Sequence, residues 1–187
     1  MDTKTTDTQL VKMALENAED FIHIMKKYEI QLLVYIKRLT NIPTEDAQDL
    51  LQEVFIKTYQ NLNGFDQSLK FSSWIYRITH NHTISSFRKN KNAQKNISLE
   101  DNEELFKRLT DDTDLKKDLD QKIQKEKIAT ALSKLDIKYR EVLILKYLED
   151  KDYSEISNIL QKPQGTIATL LNRAKIKFKD ILIKYND

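Results

Sequence analysis

The sequence predicts an all-α protein built from two small helical domains that are joined by a polar linker. Glycine and proline each occur only twice in 187 residues, which favours long helices and disfavours β-rich folds and glycine-rich nucleotide loops. Apolar residues recur every three or four positions over long stretches, as they do in helices that bury one face. The chain becomes polar and charged after Asn90, so we expect domains at residues 7–90 and 118–185, with separate cores and a linker at residues 91–117.

The first domain is predicted to start with three helices. A short helix is expected over Asp7–Glu16, with its first residue as the cap, and Glu19–Leu39 has the apolar spacing of a long amphipathic helix. Residues 41–43 break that helix. The next one is expected over Thr44–Asn61, again capped by its first residue.

The helix over Thr44–Asn61 has an acidic polar face. That face carries Asp46, Asp49, Gln52 and Glu53. Like charges so close together repel one another, so a basic partner would stabilise this face. An ordinary solvated face is the simpler alternative.

After a break at residues 63–64, the helix predicted for Phe71–Lys89 combines aromatic and basic residues. Its polar side, with the residue before it, offers Lys70, Arg77, Asn81, Arg88 and Lys89. Rings beside cations are the combination that binds single-stranded nucleic acid, although we expect Trp74 to lie at least partly in the core. His80 and His82 are two residues apart and point to different sides of a helix, so no metal site is expected.

The last third of the chain contains a helix-turn-helix pattern. Two helices are expected before it, over about residues 115–135 and 139–148. Tyr153–Leu160 is then a short helix, and after a tight break a second helix begins at Pro163 or Gln164. From the middle of the first of these helices to near the end of the second there are five basic residues and no acid, which favours binding to a phosphate backbone. A plain helical hairpin with a solvated basic face is the alternative.

Composition and charge exclude several classes of protein. With no cysteine, the chain has no disulfide, thiolate metal site or cysteine nucleophile, and no catalytic, metal or cofactor site is predicted. No apolar run reaches membrane-spanning length and the N-terminus is polar, so we expect a cytoplasmic protein without membrane insertion.

Charge is unevenly distributed along the chain. The net charge of +2 is the sum of a basic stretch at residues 67–99, an acidic one at residues 100–122 and the basic helix pair, among other residues. Two basic surfaces separated by an acidic segment predict two contacts with one polyanion.

Three blocks of the sequence resemble the signature regions of the extracytoplasmic-function (ECF) sigma factors of RNA polymerase. The blocks read EDAQDLLQEVFIKTYQNLNGFD, then FSSWIYRITHNHTISSFRK, then LSKLDIKYREVLILKYLED followed by the helix-turn-helix. The resemblance implies a region two that binds the promoter's minus-ten element and a region four that binds the minus-thirty-five element. It also implies core RNA polymerase as a partner, through the β′ clamp helices and the β flap, together with promoter DNA. An anti-sigma factor is a further candidate partner.

The resemblance also implies roles for individual residues. The polymerase-docking residues would be Asp46, Asp49, Gln52, Glu53 and Phe55. The minus-ten contacts would be Phe65, Lys70, Trp74, Arg77, Asn81, Arg88 and Lys89, with Phe65 and Asn81 forming a pocket for a flipped base. The minus-thirty-five contacts would be Lys162, Gln164, Thr166, Thr169, Asn172, Arg173, Lys175 and Lys177. A Lys and an Arg that are common in this helix of the family are Ala168 and Leu170 here, so fewer charged contacts are expected.

Two other functions are weighed against a sigma factor that binds core polymerase and directs promoter-specific initiation. A stand-alone helix-turn-helix regulator is the alternative, but it would not need the acidic face of Thr44–Asn61 or the helix that carries Trp74 and Asn81. An enzyme acting on nucleic acid would need clustered acids or an activated nucleophile. The acids of this chain lie along one helix face or in the predicted linker, which disfavours the enzyme.

Overall fold

The computed structural model describes residues 5–89, 128 and 130–184. The first region contains α1 (Asp7–Glu16), α2 (Phe21–Thr40), α3 (Thr44–Asn61) and α4 (Phe71–Lys89), with short 3-10 turns at Ala18–Asp20 and Leu62–Gly64. Residues 130–134 are helical, and they are followed by α5 (Ile137–Tyr147), α6 (Tyr153–Leu160) and α7 (Gln164–Ile183). The described residues contain no strand, so the all-α prediction is confirmed. The predicted linker lies outside the described residues.

Two predicted helix caps are each wrong by one residue. Thr6 rather than Asp7 caps α1, because the Thr6 hydroxyl accepts from the Gln9 N–H while the Gln9 side chain accepts from the Thr6 N–H. This reciprocal pair satisfies two open donors of the first turn, which is the advantage of a capping box. Thr44 is already helical, and Pro43 precedes it without a side-chain cap.

The long helix α2 is the centre of the first region. It packs against α1, α3 and α4, and its residues Ile24, Leu32 and Ile36 are fully buried. Trp74 of α4 is only 7% exposed, as predicted, whereas Tyr59 of α3 is 44% exposed. These contacts hold α3 and α4 side by side on α2.

The helix-turn-helix forms at the predicted place. The first of its helices, α6, ends at Gln161, whose left-handed backbone (φ 53°) is the usual way to close a helix, and α7 starts directly after Pro163. Ile159 and Ile167 are fully buried, and α7 also packs along α5. Within the described ranges, none of the helices is long and apolar enough to cross a membrane.

The two regions pack directly against each other. Helix α4 contacts α6, helix α2 contacts α5, and the buried apolar residues form one continuous cluster. The expectation of separate cores is therefore wrong for this conformation.

Arg140 of α5 lies at the junction between the regions. Its guanidinium donates to the carbonyl oxygens of Leu132 (2.8 Å), Ser133 (2.6 Å) and Leu135 (3.2 Å), and also to that of Leu39 in α2 (3.1 Å). The last carbonyls of a helix have no partner within the helix. One buried arginine thus satisfies open carbonyls at the ends of helical segments in both regions.

Candidate nucleic-acid interface

The acidic face of α3 is open to solvent. Asp46, Asp49 and Gln52 are exposed, and the Glu53 side chain is 58% exposed. The Glu53 carboxylate lies 2.6 Å from Nε2 of His82, which reaches across from α4. This contact joins residues 29 positions apart, so helical spacing alone does not reveal it.

Phe55 differs from the other predicted docking residues because it is buried. It is 5% exposed, and its ring lies edge-on to that of Phe21 at 6.4 Å between centroids. Phe55 therefore packs α3 onto the core, and its role in docking stays a prediction.

An aromatic cluster lies where the loop after α3 meets α4. The ring of Phe65 is half-buried and sits 5.3 Å from Phe71 and 5.2 Å from Trp74. Asn81 is exposed and lies seven residues after Trp74, which places both on one side of α4 about 10 Å apart along the helix axis. The structure thus brings an aromatic surface and an amide to the same side of one helix.

The predicted cations of α4 lie on the same side as Asn81. Arg88 and Lys89 are exposed, and Arg77 is half-buried. Lys70, just before the helix, differs from them because its ammonium lies 3.3 Å from Glu155 and 3.7 Å from Asp152, both at the start of α6. The hydrogen bond to Glu155, followed by the charge of Glu155, raises the pKa of Lys70.

The predicted recognition helix presents its polar face to solvent. Exposed on α7 are Gln164, Thr166, Thr169, Asn172, Arg173 and Lys177. The ammonium groups of Lys175 and Lys177 extend over the rings of Tyr147 and Tyr139, at 5.3 and 5.6 Å. Lys162 is engaged, since its ammonium lies 3.1 Å from Glu141 of α5.

Known proteins match both regions of the chain. Residues 24–93 match the family model for Sigma-70 region 2, and residues 125–178 match that for Sigma-70, region 4. The chain is 33% identical over 160 residues to the ECF RNA polymerase sigma factor SigW of Bacillus subtilis, an alignment that covers 83% of both chains. The protein belongs to the ECF sigma factors. It is therefore a sigma factor that directs transcription initiation by RNA polymerase.

Two solved structures share the fold of this sigma factor. CnrH, in complex with the cytosolic domain of CnrY, superposes with a TM-score of 0.68 and 21% identity, over 94% of this chain and 96% of that one. The sigma factor RpoE of Bartonella quintana, in complex with the anti-sigma factor NepR, gives a TM-score of 0.62 and 20% identity, over 88% and 97%. Since the family matches span both regions, the stand-alone regulator is set aside. Sigma factors are not themselves enzymes.

Sequence reasoning did not anticipate a polar network between the two regions of the sigma factor. Glu149 lies 3.0 Å from Arg38 and accepts a 2.6 Å hydrogen bond from the Tyr76 hydroxyl. Nearby, His80 lies 3.1 Å from the Tyr35 hydroxyl on one side and 3.6 Å from Glu141 on the other. The sequence signal for this network is weak, because Tyr76 and His80 are simply four residues apart on one side of α4.

Burial sets the charge states in this network. Burial lowers the pKa of His80 to about 4, with a smaller contribution from the charge of Lys162. Burial also raises the pKa of Glu141, while Lys162 opposes that rise. His80 is therefore neutral near pH 7.

Proposed function

We propose that this sigma factor docks on the β′ clamp helices of core RNA polymerase through the acidic face of α3. The exposure of Asp46, Asp49 and Glu53 along one helix is the observation that carries this proposal. Asp46 and Asp49 form no ion pair with any described residue, so a basic partner would relieve the repulsion between them. Region four would contact the β flap, and an anti-sigma factor is a further proposed partner, as the family resemblance implies.

Helix α4 would read the minus-ten element as a single strand. The half-buried Phe65 ring rests on Trp74 and leaves part of its surface for a base, and the exposed Asn81 amide can hydrogen-bond a base edge. Flipping a base out of the stack costs a few kcal/mol, and stacking on a ring returns about 1–3 kcal/mol. Arg77 and Arg88, on the same side of the helix, would hold the phosphates.

Region four would read the minus-thirty-five element with α7. The exposed polar face of its N-terminal half carries Thr166, Thr169 and Asn172. In a helix-turn-helix motif this half of the second helix is the part that contacts base edges in the major groove. Arg173 and Lys177 would contact phosphates, which orient the helix without reading sequence.

Run-off transcription with purified core polymerase tests these roles together. The template is a genomic library, and start sites are mapped with the parent protein and with Asn81→Ala. We expect a set of starts that share two upstream elements, used at lower yield by the variant. Transcription no higher than that of core polymerase alone would contradict the proposal.

A further inference from the structure

One polar contact joins the acidic face of α3 to helix α4. Nε2 of His82 in α4 lies 2.6 Å from Oε2 of Glu53 in α3. The side chain of His82 is only 13% exposed, whereas that of Glu53 is 58% exposed. An ionised carboxylate can only accept a hydrogen bond, so Nε2 is the donor in this contact. A nearly buried ring thus holds one oxygen of a carboxylate that otherwise lies in water.

The two residues meet because each lies at the edge of the buried side of its helix. Val54, the neighbour of Glu53, and Thr83, the neighbour of His82, are both fully buried. Helices α3 and α4 pack against each other, so residues at the edge of this packing come within reach of one another.

Glu53 is the carboxylate of the acidic face that has a fixed orientation. Asp46 and Asp49 form no ion pair with any described residue. Asp49 lies one turn before Glu53, and like charges at that spacing repel each other. The hydrogen bond from His82 holds Glu53 against this repulsion and engages Oε2 alone, since within the described ranges Oε1 has no polar partner. Oε1 is therefore available to a basic group of a partner.

We propose that His82 is a positioning residue for polymerase docking, which fixes the Glu53 carboxylate in the orientation that basic groups of the β′ clamp helices meet. The proposal rests on the docking through α3 proposed above. A glutamate in water samples several rotamers, and losing that freedom on binding weakens affinity about three- to tenfold for one such side chain. A side chain that is already held in its bound orientation avoids this loss.

The same contact should contribute little to folding. A pair in which one side chain is mostly in water changes stability only slightly, because water replaces the lost partner. His82→Leu keeps a side chain of similar size against α3 and removes the donor, so circular dichroism should show a melting temperature close to that of the parent. A large fall in melting temperature would show that His82 supports the fold instead, and would overturn the proposal.

A double-mutant cycle on core polymerase binding tests the positioning role. Because the chain has no cysteine, a fluorophore on Glu29→Cys, an exposed site of α2, reports binding by anisotropy in every variant. His82→Leu should weaken binding about three- to tenfold when Glu53 is present. Beside Glu53→Ala it should weaken binding less than about twofold, because no carboxylate is left to position. Equal losses in both backgrounds would overturn the proposal.

Two further variants separate positioning from packing. The amide of His82→Gln reaches about as far from the backbone as Nε2 and can donate, so this variant should regain most of the affinity that His82→Leu loses. His23→Leu makes the same change at a histidine that is 19% exposed and lies 3.7 Å from Asp20, outside the acidic face, and it should bind like the parent. Binding by His82→Gln as weak as that by His82→Leu, or an equal loss for His23→Leu, would overturn the proposal.

A direct role of His82 at DNA is the rival explanation, because His82 follows Asn81 in the chain. The two residues point about 100° apart around α4, with Asn81 exposed and His82 against α3. At core polymerase concentrations that saturate each variant, His82→Leu should give the same permanganate reactivity of promoter thymines as the parent. A melting defect that persists at saturation would assign His82 to the DNA and overturn the proposal.

The same cycle distinguishes this proposal from the proposed docking. Glu53→Ala should itself weaken binding to core polymerase. If it does so while His82→Leu binds like the parent, the positioning role fails and the docking face stands. If Glu53→Ala binds like the parent, docking through Glu53 is refuted, and the positioning role with it.

Discussion

Replacing Arg140 with alanine should destabilise region four far more than a surface substitution does. The guanidinium donates four hydrogen bonds to carbonyl oxygens, at 2.6 to 3.2 Å, and the residue is 9% exposed. A hydrogen bond to a charged group contributes about 1.5–3 kcal/mol, but the sum overstates the loss because water enters and replaces some partners. We expect a loss of about 3–5 kcal/mol, which for a chain of this size lowers the melting temperature by about 6–20 °C.

Two probes locate the loss within the chain. Trp74 is the single tryptophan and lies in α4, so its fluorescence reports region two, whereas circular dichroism at 222 nm reports helices in both regions. In urea, the parent should unfold with coincident transitions, because the regions share one apolar cluster. Arg140→Ala should move the circular dichroism transition to lower urea and ahead of the fluorescence transition.

Two control variants separate the loss of the four Arg140 hydrogen bonds from the effect of a surface substitution. Arg140→Lys keeps the charge but loses the fork of donors, so it should retain little of the lost stability. Arg173→Ala, at an exposed position of α7, should change stability by less than about 0.5 kcal/mol. A loss for Arg140→Ala as small as that for Arg173→Ala would show that the four hydrogen bonds contribute nothing net.

Three further predictions address docking, melting and pH. The double change Asp49→Lys, Glu53→Lys should abolish co-purification with core polymerase while circular dichroism stays unchanged; retained co-purification rejects the α3 face. Asn81→Ala should reduce open-complex formation on duplex promoters about ten- to hundredfold, measured by permanganate reactivity of thymines and partly rescued on pre-melted templates; melting equal to the parent places the pocket elsewhere. Lowering the pH from 6.5 towards 5 should destabilise the parent more than His80→Gln, because the unfolded state takes up a proton near 6.5 and buried His80 does so only near 4. Urea midpoints of both proteins at both pH values check this, and an equal fall in midpoint for the parent and for His80→Gln would contradict it. The raised pKa of Glu141 acts in the opposite sense, because the folded protein takes up a proton there as the pH falls.

The helices were predictable because their signals are local. The three- and four-residue apolar spacing, the two prolines and the helix-turn-helix break all act within a few residues. They place α2, α3, α4 and α6, and the start of α7, within two residues of the observed bounds. The caps at Thr6 and Pro43 were missed because neighbouring polar residues compete for the same position.

The junction between the regions was not predictable because its contacts join distant residues. Lys70 and Glu155 are 85 positions apart, and Arg38 and Glu149 are 111 apart, so no periodic pattern links them. From the sequence alone Lys70 was expected to be available to DNA phosphates, because its acidic partners lie in the other region. The exposed faces of α3 and α7 were easier to foresee, because burial of one helix side leaves the other for partners.

Site-specific photo-crosslinking from α3 tests the docking assignment most directly. A photoreactive amino acid replaces the exposed Gln52, in the middle of the acidic face, and the holoenzyme is irradiated before promoter DNA is added. The same label at the exposed Glu29 of α2 serves as the control. We expect a crosslink to the β′ subunit from position 52 that is absent from position 29 and is lost when Asp49→Lys and Glu53→Lys are added. A crosslink from position 52 only to another subunit, or none in a holoenzyme that transcribes, would contradict the assignment.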